Sequence, residues 1–280
     1  MRYCVRKLLG SASFGKFVEA HDLQDKEQVA IKVMKTNDHH TKSSLKEIEL
    51  LKFINKAKGS RLIVKLHSYF CIGDKICSVF ELLSNTLYDY LIEEYPAGFP
   101  LNATRNCSKQ ICNVFQFLSD LQIIHGDLKL DNLLVTHPEA STIKFADFGS
   151  AFRSGEKIIT ASTAQINTFV EVLGMPPSSL PDRSTRSTKF LEKTPGSDTY
   201  VLKKPCNSKT HKAAGMRKIQ DVLDIDLEGS MYEKGEDDEN FLYEYVDFID
   251  FILLMLNYDP FERITRSEAL NHKFFNSQEE

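Results

Sequence analysis

Two short clusters carry the most chemistry in this chain of 280 residues. The first is His125-Gly126-Asp127-Leu128-Lys129-Leu130-Asp131-Asn132, and the second is Asp147-Phe148-Gly149. Asp127 is a carboxylate suited to accept or orient a hydroxyl proton, and Lys129 can offset charge on a transferring phosphate. Asn132 and Asp147 offer the hard oxygen donors that magnesium prefers, while Asp131 is read as shaping the turn. Upstream, Lys32 ends the run Val29-Ala30-Ile31-Lys32, and Glu47 lies on the segment that follows. In a strand Ala30 and Lys32 share a face, so the ammonium can lie in a cleft, where Glu47 can pair with it. Gly10-Ser11-Ala12-Ser13-Phe14-Gly15 is a run rich in small residues, whose backbone N–H groups can approach phosphate oxygens. Taken singly, each piece has a plain alternative: a β-turn, an edge-strand lysine, an acidic turn, a surface lysine, a capping Asn. Together and in this order they supply a phosphate cradle, a cation, metal ligands and a base, the four parts that phosphoryl transfer requires.

The elements that must position these groups follow from periodicity. Tyr3–Leu9, Lys16–Asp22 and Gln28–Met34 read as short strands between turn residues. Leu45, Ile48, Leu51 and Ile54 recur at helical spacing and place Glu47 on a helix. Leu62–Cys71 and Lys75–Leu82 read as two further strands joined at Gly73-Asp74. After Ser84 the character changes. Asn102 is read as the cap of a helix that carries Cys107, Ile111, Val114, Phe115 and Leu118 on one face. Short strands bracket loops near Leu133 and Ile143. Pro176–Gly215 reads as surface loop, Glu233–Glu239 as a solvated acidic run, and the final third as helical. This is an α+β pattern, a small β-lobe (residues 1–83) before a larger helical lobe (84–280), with a cleft between them.

Composition narrows the partners. Hydrophobic residues make up 42% and the net charge is −4, so a full core is expected and nucleic acid is not. The apolar run Val246–Leu256 is broken by Asp247 and Asp250, so a buried helix is expected rather than a membrane span. The six cysteines include no C-x-x-C pair and read as reduced thiols. Met1 leads almost directly into a strand-like segment with no apolar signal region. Nothing in the sequence signals an oligomeric state.

Several segments carry a family resemblance. They are Val79-Phe80-Glu81-Leu82-Leu83-Ser84-Asn85-Thr86-Leu87-Tyr88-Asp89, Ile124-His125-Gly126-Asp127-Leu128-Lys129 and Asp147-Phe148-Gly149-Ser150. Later come Val170-Glu171-Val172-Leu173-Gly174-Met175-Pro176-Pro177, Met255-Leu256-Asn257-Tyr258-Asp259-Pro260 and Ala269-Leu270-Asn271-His272-Lys273-Phe274-Phe275. With the Val-Ala-Ile-Lys run, the chain resembles a eukaryotic protein kinase, nearest to the minibrain or DYRK-like dual-specificity kinases of the CMGC group. The resemblance implies the bilobal protein-kinase fold, a single domain over residues 3–275, and ATP with Mg2+ as cofactors. It also implies serine/threonine phosphorylation of protein substrates, with tyrosine autophosphorylation, in the nucleus or cytoplasm. Carried over by motif, Phe80 is the gatekeeper, and Glu81 and Leu83 give backbone hydrogen bonds to adenine. Leu9, Phe17, Ala30 and Leu134 sandwich the ring, and Gly10, Ala12, Phe14 and Gly15 form the cradle.

Four departures from the family pattern are visible. Gly126 stands where many kinases have arginine, Ala12 replaces a glycine of the cradle, and Phe17 replaces a valine-like roof residue. The fourth is large. No tyrosine lies between Gly149 and Tyr200, no Pro-Glu dipeptide follows Gly149, and the chain has no tryptophan. Most of the family's activation segment and its central helix therefore have no counterpart, and Arg263 lacks the glutamate it normally meets. The expectation is poor transfer to proteins despite nucleotide binding, with apolar surface uncovered near Phe115 and Phe248. The alternative to an active kinase is a nucleotide-binding or scaffolding pseudokinase.

Overall fold

The computed structural model describes residues 2–11, 15–35, 38–96, 98–137, 142–155, 163–184, 187–203, 213–219, 222 and 238–276. The chain divides into two compact units, Met1–Lys157 and Ile158–Glu280.

The first unit opens with β1 (Tyr3–Ser11), β2 (Gly15–Asp22) and β3 (Glu27–Met34). After α1 (Asp38–Lys56) come β4 (Leu66–Ile72) and β5 (Lys75–Glu81), which complete an antiparallel sheet of order β1-β2-β3-β5-β4. Gly15 is required by packing, because a Cβ there would collide with the Val33 carbonyl oxygen of the neighbouring strand. The register pairs Gly10 with Phe17, Phe17 with Lys32, and Ala30 with Phe80. Paired residues of antiparallel strands share a face, as do residues two apart in one strand. Gly10, Phe17, Ala30, Lys32 and Phe80 are thereby gathered on one side of the sheet.

Helix α1 buries Ser44, Glu47, Ile48, Leu51 and Ile54, whereas Leu45 faces solvent. The buried stripe thus runs through Glu47, Leu51 and Ile54, spaced i, i+4 and i+7, and carries the carboxylate inward with the apolar residues. The strand expected from Leu62 begins only at Leu66. Ser60–Leu62 forms a 3-10 turn, and the backbone of Ile63 and Val64 is claimed instead by Phe145.

Beyond β5 lie α2 (Leu87–Glu94), α3 (Leu101–Asp120), β6 (Ile123–Ile124), β7 (Leu133–Val135), β8 (Ile143–Phe145) and β9 (Phe152–Arg153). Strands β7 and β8 pair with each other, as do β6 and β9. Asn102 does not cap α3: Pro100 occupies that place and accepts the Thr104 N–H through its carbonyl. The Asn102 side chain is instead the acceptor for Arg105. One continuous core joins Ile48, Leu51 and Ile54 of α1 to Val114 and Leu118 of α3 and to Leu133, Phe145 and Phe148 around the two clusters.

The second unit contains α4 (Thr163–Leu173), α5 (Ser179–Arg183), α6 (Ser187–Phe190), β10 (Leu191–Lys193) and β11 (Tyr200–Leu202). It continues with α7 (Asp238–Leu256) and α8 (Arg266–Leu270). The segment expected as loop therefore holds two short helices and a hairpin, with Pro195 and Gly196 at its turn. The acidic run lies outside the described residues except for Asp238 and Glu239, which begin α7. Phe251 packs against Phe274 and Phe275, whose rings lie 5.6 and 5.0 Å away. Thr265 and Glu268 close a capping box on α8.

Uncovered apolar surface was expected around Phe115 and Phe248; the two rings themselves are half-buried, while the helix around Phe248 does expose apolar side chains. Phe115 is half-buried edge-on to Phe145, and Phe248 packs on Phe274. Exposed apolar surface on α7 falls on Tyr243, Val246 and Leu253. Among the described residues, no helix is long and apolar enough to cross a membrane.

Candidate active site

The geometry centres on Lys32. Its Nζ lies 3.0 Å from both carboxylate oxygens of Glu47 and 2.9 Å from Oδ1 of Asp147. The Phe17 ring covers the ammonium at 5.7 Å, within reach of a cation–π contact. Lys32 is 3% exposed and Glu47 6%, so the pair is removed from water. Burial pushes the lysine down, but the two carboxylates outweigh it and hold the ammonium charged. For Asp147, burial raises the pKa, while Lys32 and the Gly149 N–H lower it further, and the net direction is down. Glu47 goes the other way: burial raises it more than Lys32 lowers it, and the nearby Asp147 charge adds to the rise. Two carboxylates thus share one cation, and the deeper of them carries the desolvation cost.

The catalytic-type loop hangs from backbone bonds. His125 is buried, with Nε2 3.0 Å from the Ala146 carbonyl oxygen and Nδ1 accepting the Asp127 N–H. The Asn132 amide nitrogen donates to the Asp127 carbonyl at 2.8 Å and to Asp127 Oδ2 at 3.1 Å. Lys129 Nζ lies 3.1 Å from the same Oδ2. Asp127 is therefore held from two sides while its side chain remains partly open to solvent. Asp147 has φ +57°, an uncommon left-handed conformation for a residue with a side chain, which turns the chain into the Phe148–Ser150 turn.

Burial pushes the His125 imidazole below its ordinary value, against the opposing pull of Ala146, Asp147 and Asp127. The folded protein thus keeps it neutral, while the unfolded chain takes up a proton near pH 6.5. Stability from this group is full above that pH and is lost as pH falls towards the lowered folded-state value. The slope is at most about 1.4 kcal/mol per pH unit. Urea midpoints at pH 7.5 and 5.5 are expected to differ more in the wild type than in His125→Gln. Equal differences would show that His125 does not carry the effect.

Gly126 has φ +80°, and a Cβ there would sit 2.6 Å from the Ser150 carbonyl oxygen and 3.2 Å from the Phe152 ring. The absence of a side chain lets β6 and β9 close directly, with Ile124 opposite Phe152. Gly126→Ala is expected to lose about 1–3 kcal/mol through backbone strain and this clash. An unchanged denaturation midpoint would contradict that account.

The other expected residues are placed as follows. Phe80 is 7% exposed, and Ala30 and Leu83 pack against the core. Leu134 is half-buried on β7. Leu9 is the unpaired residue of a β-bulge between Leu8 and Gly10, and is 42% exposed. Ala12 and Phe14 lie outside the described residues. The Glu81 side chain, not anticipated from sequence, accepts from Lys144 Nζ at 2.7 Å through both oxygens and from the Lys65 N–H at 2.7 Å. Arg263 donates to the Asn257 carbonyl at 2.8 Å and forms no ion pair among the described residues.

Comparison with known proteins agrees with this geometry. Residues 3–172 match the model of the protein kinase domain. The chain is 29% identical over 319 aligned residues to a probable serine/threonine-protein kinase dyrk2 of Dictyostelium discoideum, covering 97% of this chain and 32% of that protein. It is 27% identical over 340 residues to serine/threonine-protein kinase AFC3 of Arabidopsis thaliana, covering 99% and 82%. With AFC2 of the same plant the identity is 26% over 327 residues, covering 98% and 77%. The chain thus spans about a third of the Dictyostelium relative and most of the plant ones. Each alignment is longer than the 280-residue chain, so the relatives carry several dozen residues without a counterpart here. The matched domain covers more than half the chain, with the lysine, the paired glutamate and both clusters inside it, and the chain belongs to the protein kinase family.

Proposed function

We propose that this chain binds ATP with magnesium and transfers the terminal phosphoryl group to serine or threonine hydroxyls of protein substrates. The observation that carries the reading is the buried ammonium of Lys32 held by Glu47 and Asp147. A charge kept out of water in this way has a use where phosphate oxygens must be met. On this reading Lys32 exchanges its Asp147 contact for a phosphate oxygen and keeps Glu47. Asp127 accepts or orients the proton of the attacking hydroxyl, Asn132 holds that carboxylate, and Lys129 offsets charge on the phosphate in transfer.

The donor set fits magnesium. Asp147 and the amide oxygen of Asn132 would hold it, and it would supply charge neutralisation at the phosphates. Among the described residues, no group of three or more His, Cys, Asp or Glu is placed to hold a metal. An ion bound mainly through nucleotide phosphates and water needs no such group.

A second reading, a nucleotide-binding scaffold with little transfer, is favoured by the several dozen residues that the relatives carry and this chain lacks. One experiment separates the two. Millimolar Mg-ATP is expected to raise the melting temperature, and Asp147→Asn to reduce the magnesium-dependent part of the rise. Radiolabel transfer to a basic, proline-containing peptide then distinguishes them. Turnover abolished by Asp127→Asn supports the enzyme, and binding without turnover supports the scaffold. Absence of any thermal shift would overturn both.

A further inference from the structure

The carboxylate of Glu81 is used in a way that neither the motifs nor the transfer chemistry explains. Glu81 ends β5, and its N–H donates to the Lys65 carbonyl at 3.1 Å while its Oε1 accepts the Lys65 N–H. The remaining partner is Lys144 on β8, 2.7 Å from both carboxylate oxygens. The side chains are 18% and 22% exposed, so this is a half-buried pair rather than a solvated one. Lys144 stands opposite Leu134 in the β7–β8 pair and three residues before Asp147. Just beyond Glu81, Ser84 N–H donates to the Val135 carbonyl and Val135 N–H to the Asn85 carbonyl. The stretch from Glu81 to Ser84 is thus tied at its front by a charge pair and at its rear by backbone bonds, and Leu83 lies between the ties.

We propose that Lys144 is a positioning residue for the nucleobase. Its ammonium ties the Glu81 carboxylate, itself bonded to the Lys65 N–H, to β8, which fixes the backbone of Glu81 and Leu83 relative to Leu134 and Asp147. This rests on the nucleotide reading above, in which those backbone groups meet the adenine edge. Loss of the ammonium leaves Glu81 bonded to Lys65 but frees the segment from β8. A base-only ligand should feel that change, while a ligand held by Lys32, Asn132 and Asp147 should not.

The test uses two probes on the full chain, adenosine and magnesium tripolyphosphate, each measured by calorimetry. Lys144→Met is expected to weaken adenosine by about five-fold or more, the scale of one half-buried ion pair, and to leave tripolyphosphate unchanged within about two-fold. Lys144→Arg, which keeps the cation, is expected to restore adenosine binding. Glu81→Gln is expected to reproduce the loss. Equal weakening of both probes would mark Lys144 as merely structural and overturn the proposal, as would unchanged adenosine binding in Lys144→Met. A wild-type chain that binds neither probe would overturn the nucleotide reading together with the proposal.

Discussion

Lys32→Met is expected to lower the stability of the ligand-free protein by about 3–5 kcal/mol, besides abolishing nucleotide affinity. The ammonium is the common partner of two carboxylates, at 3.0 Å from Glu47 and 2.9 Å from Asp147. Removing it leaves Glu47 buried without its compensating charge and facing a second anion. The same argument makes the loss reversible in part. Lys32→Met combined with Glu47→Leu removes both charges of the deepest pair, and apolar replacement of a buried pair is often neutral or better. The double variant is therefore expected to regain most of the stability while remaining unable to bind Mg-ATP. Urea denaturation and calorimetry on the two variants read the two effects separately. A single variant within about 0.5 kcal/mol of the wild type would show that the triad carries little of the fold's stability.

The second large effect concerns the residues that the relatives have and this chain lacks. Inserting the corresponding segment of the Dictyostelium relative between Ala164 and Ile166 is expected to raise kcat/KM on a basic, proline-containing peptide by at least about 10²-fold. Transfer of this kind depends on positioning and electrostatics, so an acceptor that is not held costs rate even when Asp127, Lys129 and Asn132 are correctly arranged. Arg263, now exposed and bonded to the Asn257 carbonyl, serves as an internal check. In the insertion variant, Arg263→Ala is expected to undo part of the gain, whereas in the parent it is expected to have no effect on transfer. Robust turnover by the parent chain, lost in Asp127→Asn, would show that the absent segment is dispensable.

Much of the site was legible because its residues sit at fixed offsets on regular elements. Lys32 follows Ala30 by one strand repeat, and Glu47 lies on a helix whose period is written in Ile48, Leu51 and Ile54. The two clusters flank a hairpin whose strands are short and, apart from Lys144, apolar. What sequence could not give was the use of tertiary neighbours. In sequence Gly126 stands out only for the arginine it replaces, whereas its necessity comes from the Ser150 carbonyl, a residue remote in sequence. For Glu81 the sequence points only to its backbone, because nothing local marks Lys144 and Lys65 as its side-chain partners. The spacing of Leu45, Ile48, Leu51 and Ile54 marks the helix but not which of them is buried: a 3.6-residue turn carries Leu45 off the face that the other three share. The hairpin of β10 and β11 was hidden in a polar stretch because three-residue strands leave almost no alternation to read.

The first compact unit is contiguous in the chain, ends at Lys157, and contains each residue assigned to base, cation or metal ligand. During synthesis that stretch leaves the ribosome whole while the second unit is still being made. At ordinary elongation rates of about 5–20 residues per second, adding Ile158–Glu280 takes roughly 6–25 s, far longer than a helix or hairpin needs to form. On the nucleotide reading proposed above, ATP can therefore meet the first unit before residues 158–280 are made. A ligand that selects the folded form can act on the nascent protein as a template for its amino-terminal half.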